Sequence, residues 1–481
     1  MSVLVVDVGT SSVRAVVVRP DASIEHETQR PLLPDSPGPG LVEFDPEVMA
    51  AAVVDLAHET LTSAGPVDAV GITNQRGSTV VWDRETGMPV AAGIGWQDLR
   101  TVGRCLELKG SGHILAPNQS ATKLEAVLDA VDPDRVRDLC FGTVDGWIAW
   151  TLSEGSVHAI DATNASVTGL TSRDVSGWDE TILAALRVPS TMLPRIVDSS
   201  GAIGLATALD GAPPITALVG DQQASLVGQG GIHPGTAKIT FGTGAMLDVV
   251  VGTDRPEMGH RGSGGTFALV ARRIGGVDTW GIEAIMLAAG TNVEWLRDDL
   301  EIIETAGEAG SVAARCDDSD GVWFVPAPLG LGTPFWDYGA RGTLLGLTRG
   351  SERPQIVRAV LEGVAHRGAD LVEAAESDAG FGIERLRVDG GMTANDVFVQ
   401  ALADATQRTI EVSREREATA LGAGFLAGLA VGIWTDEDEI ATTWDPRAQV
   451  EPRRTPDRDR WREAVARAEG WLPDLSAISF S

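Results

Sequence analysis

The stretch Val5-Val6-Asp7-Val8-Gly9-Thr10-Ser11-Ser12-Val13-Arg14-Ala15-Val16-Val17-Val18 joins two valine-rich runs through a small polar turn. Valine favours the pleated strand, and a glycine at the turn lets the backbone reverse and approach a ligand closely, so the run reads as a tight hairpin. The same grammar returns far downstream in Ile239-Thr240-Phe241-Gly242-Thr243-Gly244-Ala245-Met246-Leu247-Asp248-Val249-Val250-Val251. Turn geometry alone explains one Gly-Thr hairpin. Two of them predict two related half-molecules facing one ligand, and the turn amides and hydroxyls suit phosphate oxygens.

Working outward, strand-like and helix-like segments alternate along all 481 residues, which points to an α/β chain too long for one core. Asp45-Pro46 opens a helix running to Leu61, and Val67 to Thr73 and Thr79 to Asp83 read as strands. Ile215 to Val219 is an apolar strand that ends at Gly220-Asp221. The glycine-rich run 228–236 is the predicted boundary, dividing the chain into domains 1–230 and 231–481. Beyond it, Val322 to Val325 and Leu386 to Val388 read as strands, and Gln355 to Ala375 as a helix. Asp389-Gly390-Gly391-Met392-Thr393-Ala394-Asn395 joins a strand to the helix Asp396 to Ala405, and Arg453 to Gly470 reads as a solvated helix.

Lys plus Arg total 38 against 68 Asp plus Glu, a net charge of -30 that argues against nucleic acid as a partner. The only lysines are Lys109, Lys123 and Lys238, a scarcity that reads as base composition. Cys105, Cys140 and Cys316 lack metal-ligand spacing and are odd in number, which speaks against a zinc site or a disulfide framework. Asp7 interrupts the first apolar run, and Gly422 to Trp434 is too short to span a bilayer, so no membrane partner and a cytoplasmic location are expected. A P-loop and the protein-kinase signature set are both absent. Gly422-Ala423-Gly424-Phe425-Leu426-Ala427 fits a dinucleotide fingerprint only formally, because Glu415 to Leu421 ahead of it reads as helix. Two readings of Asp221 fit its place after a strand: a catalytic carboxylate, or a cap for the helix that follows. The glycine turn before Asn395 likewise suits either a phosphate or an ordinary strand-to-helix loop.

Asp7 to Arg14, Gly71-Ile72-Thr73-Asn74-Gln75-Arg76, Gly142 to Trp147, Thr163 to Ser166 and Gly220-Asp221-Gln222-Gln223-Ala224 together resemble the FGGY family of carbohydrate kinases, in its glycerol kinase branch. Phe241 to Gly244, Trp295 to Asp298, Gly342 to Leu347, Asp389-Gly390-Gly391 and Thr419 to Ala423 extend the match to about residue 435. The resemblance implies an α/β fold of two actin-like, ribonuclease H-like domains with ATP and Mg2+ in the cleft between them. It assigns Asp221 as the catalytic base and Asp7 as the carboxylate that helps hold magnesium. Thr10, Ser11, Ser12, Arg14, Thr243, Gly290, Glu294, Gly391 and Asn395 match ATP-contacting positions, although the family tends to have Gln where Glu294 stands. Arg76, Gly77, Trp96, Asn118, Asp221, Gln222 and Met246 match the acceptor pocket. A homodimer or higher oligomer is a further expectation from the resemblance.

Departures concentrate in that pocket. Gly77 stands where the branch has Glu, Asn118 where it has Tyr, and Met246 where it has Phe. Ala126 replaces the Trp of the first family signature, and Trp96-Gln97-Asp98-Leu99-Arg100 resembles a sugar-kinase stretch. A roomier pocket and a polyol or sugar longer than glycerol are therefore expected, with glycerol itself as the alternative. Two non-transferase readings remain beside these, a catalytically silent sugar sensor and an actin-like ATPase.

Overall fold

The inner strands form where β-branched residues cluster, and burial on both faces explains why they lack simple alternation of apolar and polar residues. In the computed structural model, which describes residues 1–415 and 417–480, one 13-stranded sheet runs through the molecule. Its strands are β1 (Val3–Val8), β2 (Ser12–Val18), β3 (Ile24–Pro31), β4 (Ala69–Asn74), β5 (Ser200–Leu205), β6 (Pro214–Gly220) and β7 (Ala237–Phe241). After them come β8 (Ala245–Gly252), β9 (Phe267–Ile274), β10 (Val277–Met286), β11 (Arg385–Asp389), β12 (Thr409–Val412) and β13 (Ala448–Val450). Helices that bear on the site are α1 (Pro46–Ala64), α2 (Ala121–Val131), α3 (Asp221–Gly228), α4 (Thr291–Asp298), α5 (Arg353–Ala379), α6 (Asp396–Thr406), α7 (Ala418–Ala430) and α8 (Arg458–Ala468).

The strand order is β13-β12-β11-β7-β8-β10-β9-β5-β6-β4-β1-β2-β3. In the first half β1 pairs antiparallel with β2 and parallel with β4, and β2 carries β3 while β4 carries β6. The second half repeats this: β7 pairs antiparallel with β8 and parallel with β11, and β8 carries β10 while β11 carries β12. The repeated hairpin is thus the start of a repeated sheet. The halves meet edge to edge at Ser200 and Ile274, where β5 runs parallel to β9.

On β1, Leu4, Val6 and Val8 join a core beneath α1, while Val3 and Val5 face the opposite core with Phe425 and Leu426 of α7. Although late in the chain, α7 therefore packs on the first half. It also crosses α3 so closely that a Cβ at Gly228 would lie 1.9 Å from the Ala418 carbonyl oxygen, and one at Gly422 1.8 Å from that of Ala224. Gly422 serves close packing and not a dinucleotide, as its sequence context indicates. The helix begins at Ala418, later than the expected start at Glu415, and Arg416 within the expected stretch lies outside the described residues. Among the described residues, no helix is long and apolar enough to cross a membrane.

The C-terminal helix differs from its expected solvated character. Charge covers only one side of α8, whereas Trp461, Ala464, Val465 and Ala468 are buried. The Trp461 ring stacks on His366 with centroids 4.9 Å apart, and its indole N–H reaches Asp370 at 3.1 Å.

Candidate active site

Asp221 begins α3 directly after β6, and the N-cap of that helix is Gly220. Capping therefore does not account for Asp221. Its Oδ1 accepts a 2.8 Å hydrogen bond from the Gln222 amide and lies 3.5 Å from Arg76 Nε. The Asp221 side chain keeps 29% of its surface exposed against 11% for Arg76, so the carboxylate can still meet a ligand. Arg76 follows β4 and lays its stem over Gly220, where a Cβ would come within 2.7 Å of Arg76 Cδ. From the other half, Glu283 Oε2 accepts from Arg76 Nη2 at 2.6 Å, and Met246 Sδ lies 3.8 Å from the same nitrogen.

Gly77, Trp96 and Asn118 come from separate loops, and one buried side chain gathers them. Lys123 of α2 is fully buried, and its ammonium donates to the carbonyls of Gly77 (3.3 Å), Trp96 (3.2 Å) and Asn118 (3.3 Å). Burial pulls this ammonium down to about 7, against the attraction of Asp98. Trp96 also donates its indole N–H to Thr10 Oγ1 at 3.1 Å, linking the pocket wall to the first hairpin. Gly77 has φ +72, and a Cβ there would lie 2.5 Å from the Asn118 carbonyl oxygen. The space opened by the missing side chain is filled by backbone, so Gly77 does not widen the pocket as expected.

The hairpin tips are tied to their surroundings. Gly9 N donates to Ser12 O at 3.0 Å to close the first turn, Ser12 Oγ accepts from Gln29, and Ser11 is exposed. Arg14 lies opposite Asp7 in the hairpin register, 3.9 Å from its carboxylate, with Glu27 at 3.1 Å and Glu417 as a further ion-pair partner. In the second half, Gly290 N donates to Gly242 O at 2.9 Å and Ala289 N to Thr243 O at 2.8 Å. Gly390, at φ +90, brings the turn with exposed Gly391 against Phe241, where a Cβ would be 2.3 Å from a carbonyl oxygen. Asn395 caps α6 by accepting from Val397 and Phe398 at 3.1 and 3.2 Å, and Glu294 is exposed on the first turn of α4.

Residues 2–228 match the model of the FGGY family of carbohydrate kinases, N-terminal domain, and residues 237–431 that of its C-terminal domain. The chain belongs to the FGGY family of carbohydrate kinases. It is 42% identical to the glycerol kinase of Trichlorobacter lovleyi over 98% of this chain and 99% of that protein. It is 40% identical to glycerol kinase 2 of Thermotoga maritima, again over 98% and 99%. The crystal structure of Plasmodium falciparum glycerol kinase with ADP superposes with a TM-score of 0.90 at 30% identity, covering 97% of this chain and 98% of that one. A xylulose kinase from Lactobacillus acidophilus shares the fold, with a TM-score of 0.86 at 21% identity over 99% and 98% of the two chains. FGGY kinases are ATP-dependent phosphotransferases with alcohol acceptors, and they use Mg2+ with the nucleotide.

The electrostatics of this FGGY kinase suit that chemistry. Burial raises the Asp221 carboxyl above its ordinary value, and Arg76 opposes the rise. Burial pushes Asp7 up to about 7, with Arg14 opposing and Asp221 adding to the shift. Two neighbouring carboxylates that resist ionisation are relieved by a cation. Asp7 therefore fits a magnesium ion held mainly by phosphate and water, as this metal prefers. Among the described residues, no group of three or more His, Cys, Asp or Glu side chains could hold a metal alone. Sequence reasoning assigned no site role to Lys123 or Glu283, nor to Lys238 and Asp248, an ion pair at 2.9 Å whose lysine donates to Gln222. A signal for two of them was present: Lys123 and Lys238 are lysines in an Arg-rich chain, and both are fully buried here.

Proposed function

We propose that this kinase transfers the γ-phosphoryl group of ATP to a primary hydroxyl of a small polyol, glycerol or one of similar size, with Asp221 as base. The observation that carries the reading is Asp221, first residue of α3 and partly exposed, beside the Arg76 guanidinium at 3.5 Å. Residues 1–230 supply acceptor and base, and 231–481 supply most of the nucleotide site. Arg76 and Gln222 hydrogen-bond the acceptor hydroxyls, while Trp96, Gly77, Asn118 and Met246 wall the pocket. As the acceptor oxygen bonds to the γ-phosphorus and the bond to the ADP oxygen breaks, Asp221 takes the hydroxyl proton. Thr10, Ser11, Ser12 and Arg14 meet the phosphates from one side and Thr243 from the other. Gly290, Gly391, Glu294 and the side-chain NH2 of Asn395 border the rest of the nucleotide. Magnesium beside Asp7 would neutralise phosphate charge.

A longer acceptor remains a second reading, favoured by Asn118 and Met246 in place of two aromatic rings. Against it stand the Asn118 carbonyl that fills the space at Gly77 and the full-length glycerol kinase relatives at about 40% identity. The test is Mg2+-ATP turnover, coupled to ADP release, across glycerol, tetritols, pentitols, ketopentoses and hexoses with a no-acceptor control. Glycerol should be turned over at low concentration. Activity confined to four- or five-carbon acceptors would select the second reading, and ADP release independent of any acceptor would contradict both.

A further inference from the structure

Beneath the acceptor residues lies a buried charged layer contributed by the second half. Lys238 of β7, Asp248 of β8 and Glu283 of β10 are each at most 6% exposed. The strand registers place Lys238 opposite Asp248 and Asp248 opposite Glu283, so the three side chains share one face of the sheet. Lys238 Nζ lies 2.9 Å from Asp248 Oδ2 and donates to Thr240 Oγ1 at 3.0 Å and to Gln222 Oε1 at 2.8 Å. An ammonium has donors only, so it fixes the Gln222 carboxamide with its oxygen inward and leaves the NH2 to face a ligand. Glu283 does the equivalent for Arg76. It takes Nη2 at 2.6 Å, while Nη1 is buried with no protein acceptor. A buried N–H without an acceptor is costly, and a ligand hydroxyl there would supply one.

We infer that Lys238 and Glu283 are positioning residues for the acceptor. They reach from the second half to aim Gln222 and Arg76 of the first, so specificity for a hydroxylated acceptor is built across both halves. The inference rests on the acceptor reading of Arg76 and Gln222. Asp248 pairs with the buried lysine at 2.9 Å and orients it, because a cation at this depth needs a counter-ion.

A double-mutant cycle tests this with glycerol, erythritol and xylitol as probes. Lys238→Met together with Asp248→Leu removes the buried pair without leaving a lone charge. Gln222→Ala removes the carboxamide. Each change should raise the acceptor KM about tenfold, the loss of one polar contact, and the combination should be no worse than Gln222→Ala alone. The KM for ATP and the thermal midpoint should stay near wild type. Glu283→Gln should likewise raise the acceptor KM selectively. If the paired replacement fails to fold, Lys238→Arg takes its place and should raise the acceptor KM alone. Multiplicative effects in the cycle, a parallel rise in the KM for ATP, or an unchanged acceptor KM would overturn the inference. Absence of acceptor-dependent turnover in the wild type would instead remove the functional reading on which it stands.

Discussion

Asp221 is the residue whose removal should be most selective. Asp221→Asn keeps size and leaves Gly220 as helix cap, so the variant should fold and bind ATP while kcat falls by about 10²–10⁴-fold. Because the carboxylate must be ionised to accept a proton and burial raises its pKa, the acid limb of kcat should lie above 3.8, the ordinary Asp value. Arg76 works against that shift, so in Arg76→Met the limb should move to still higher pH, and a limb that moved down would contradict the arrangement. Lys123 makes a different prediction. Lys123→Met strands three carbonyls that hold the pocket loops, so it should raise the acceptor KM and lower stability by about 1–3 kcal/mol, read by kinetics and denaturant unfolding. Asp221, Arg76 and Gln222 could be proposed from sequence because each sits in a local run of distinctive sequence, and the fold brings Arg76 within 3.5 Å of Asp221. Glu283 could not, since its meaning lies in contact with Arg76, 207 positions away. The scarcity of lysine reads as base composition, a reading that gave no role to Lys123 or Lys238. What distinguishes them is the demand for a compact point charge that donates in several directions, which Arg meets poorly.

At the scale of elements, the two hairpins could be read from apolar β-branched runs and turn glycines, whereas β3 and β10, which pair beside them, were not read. The crossing of α3 and α7 could not be read, because small residues at Gly228 and Gly422 reveal their purpose only when the helices meet. Ala at either position would drive a methyl into a backbone carbonyl, and should destabilise the protein by about 1–3 kcal/mol or more in thermal or denaturant unfolding. Gly103 is the control: a Cβ there meets nothing within 4 Å and it lies inside a helix, so Gly103→Ala should be neutral or stabilising. Equal behaviour of the three variants would contradict the packing account. The helix α8 teaches the reverse lesson. Its dense charge hid a buried stripe, because six charged residues are interleaved with the four that are buried, and Trp461 is visible as an anchor only once His366 is seen beside it.

The whole molecule joins two copies of one sheet plan through the single bridge between Ser200 and Ile274 and through α7 packed on the opposite half. In the proposed reading the acceptor pocket and the base belong to the first copy and the second phosphate hairpin to the second, and the ion pair of Arg76 with Glu283 ties the two copies together. That division matches phosphoryl transfer, in which the protein positions two substrates and neutralises charge more than it reacts itself. The most direct test of this claim is the stoichiometry of product, measured by phosphorus NMR alongside ADP release in wild type and Asp221→Asn. The account predicts one phosphorylated primary alcohol per ADP in the wild type, no ADP without acceptor, and near loss of both products in the variant. ADP formed without a phosphorylated acceptor, or full transfer by Asp221→Asn, would contradict it.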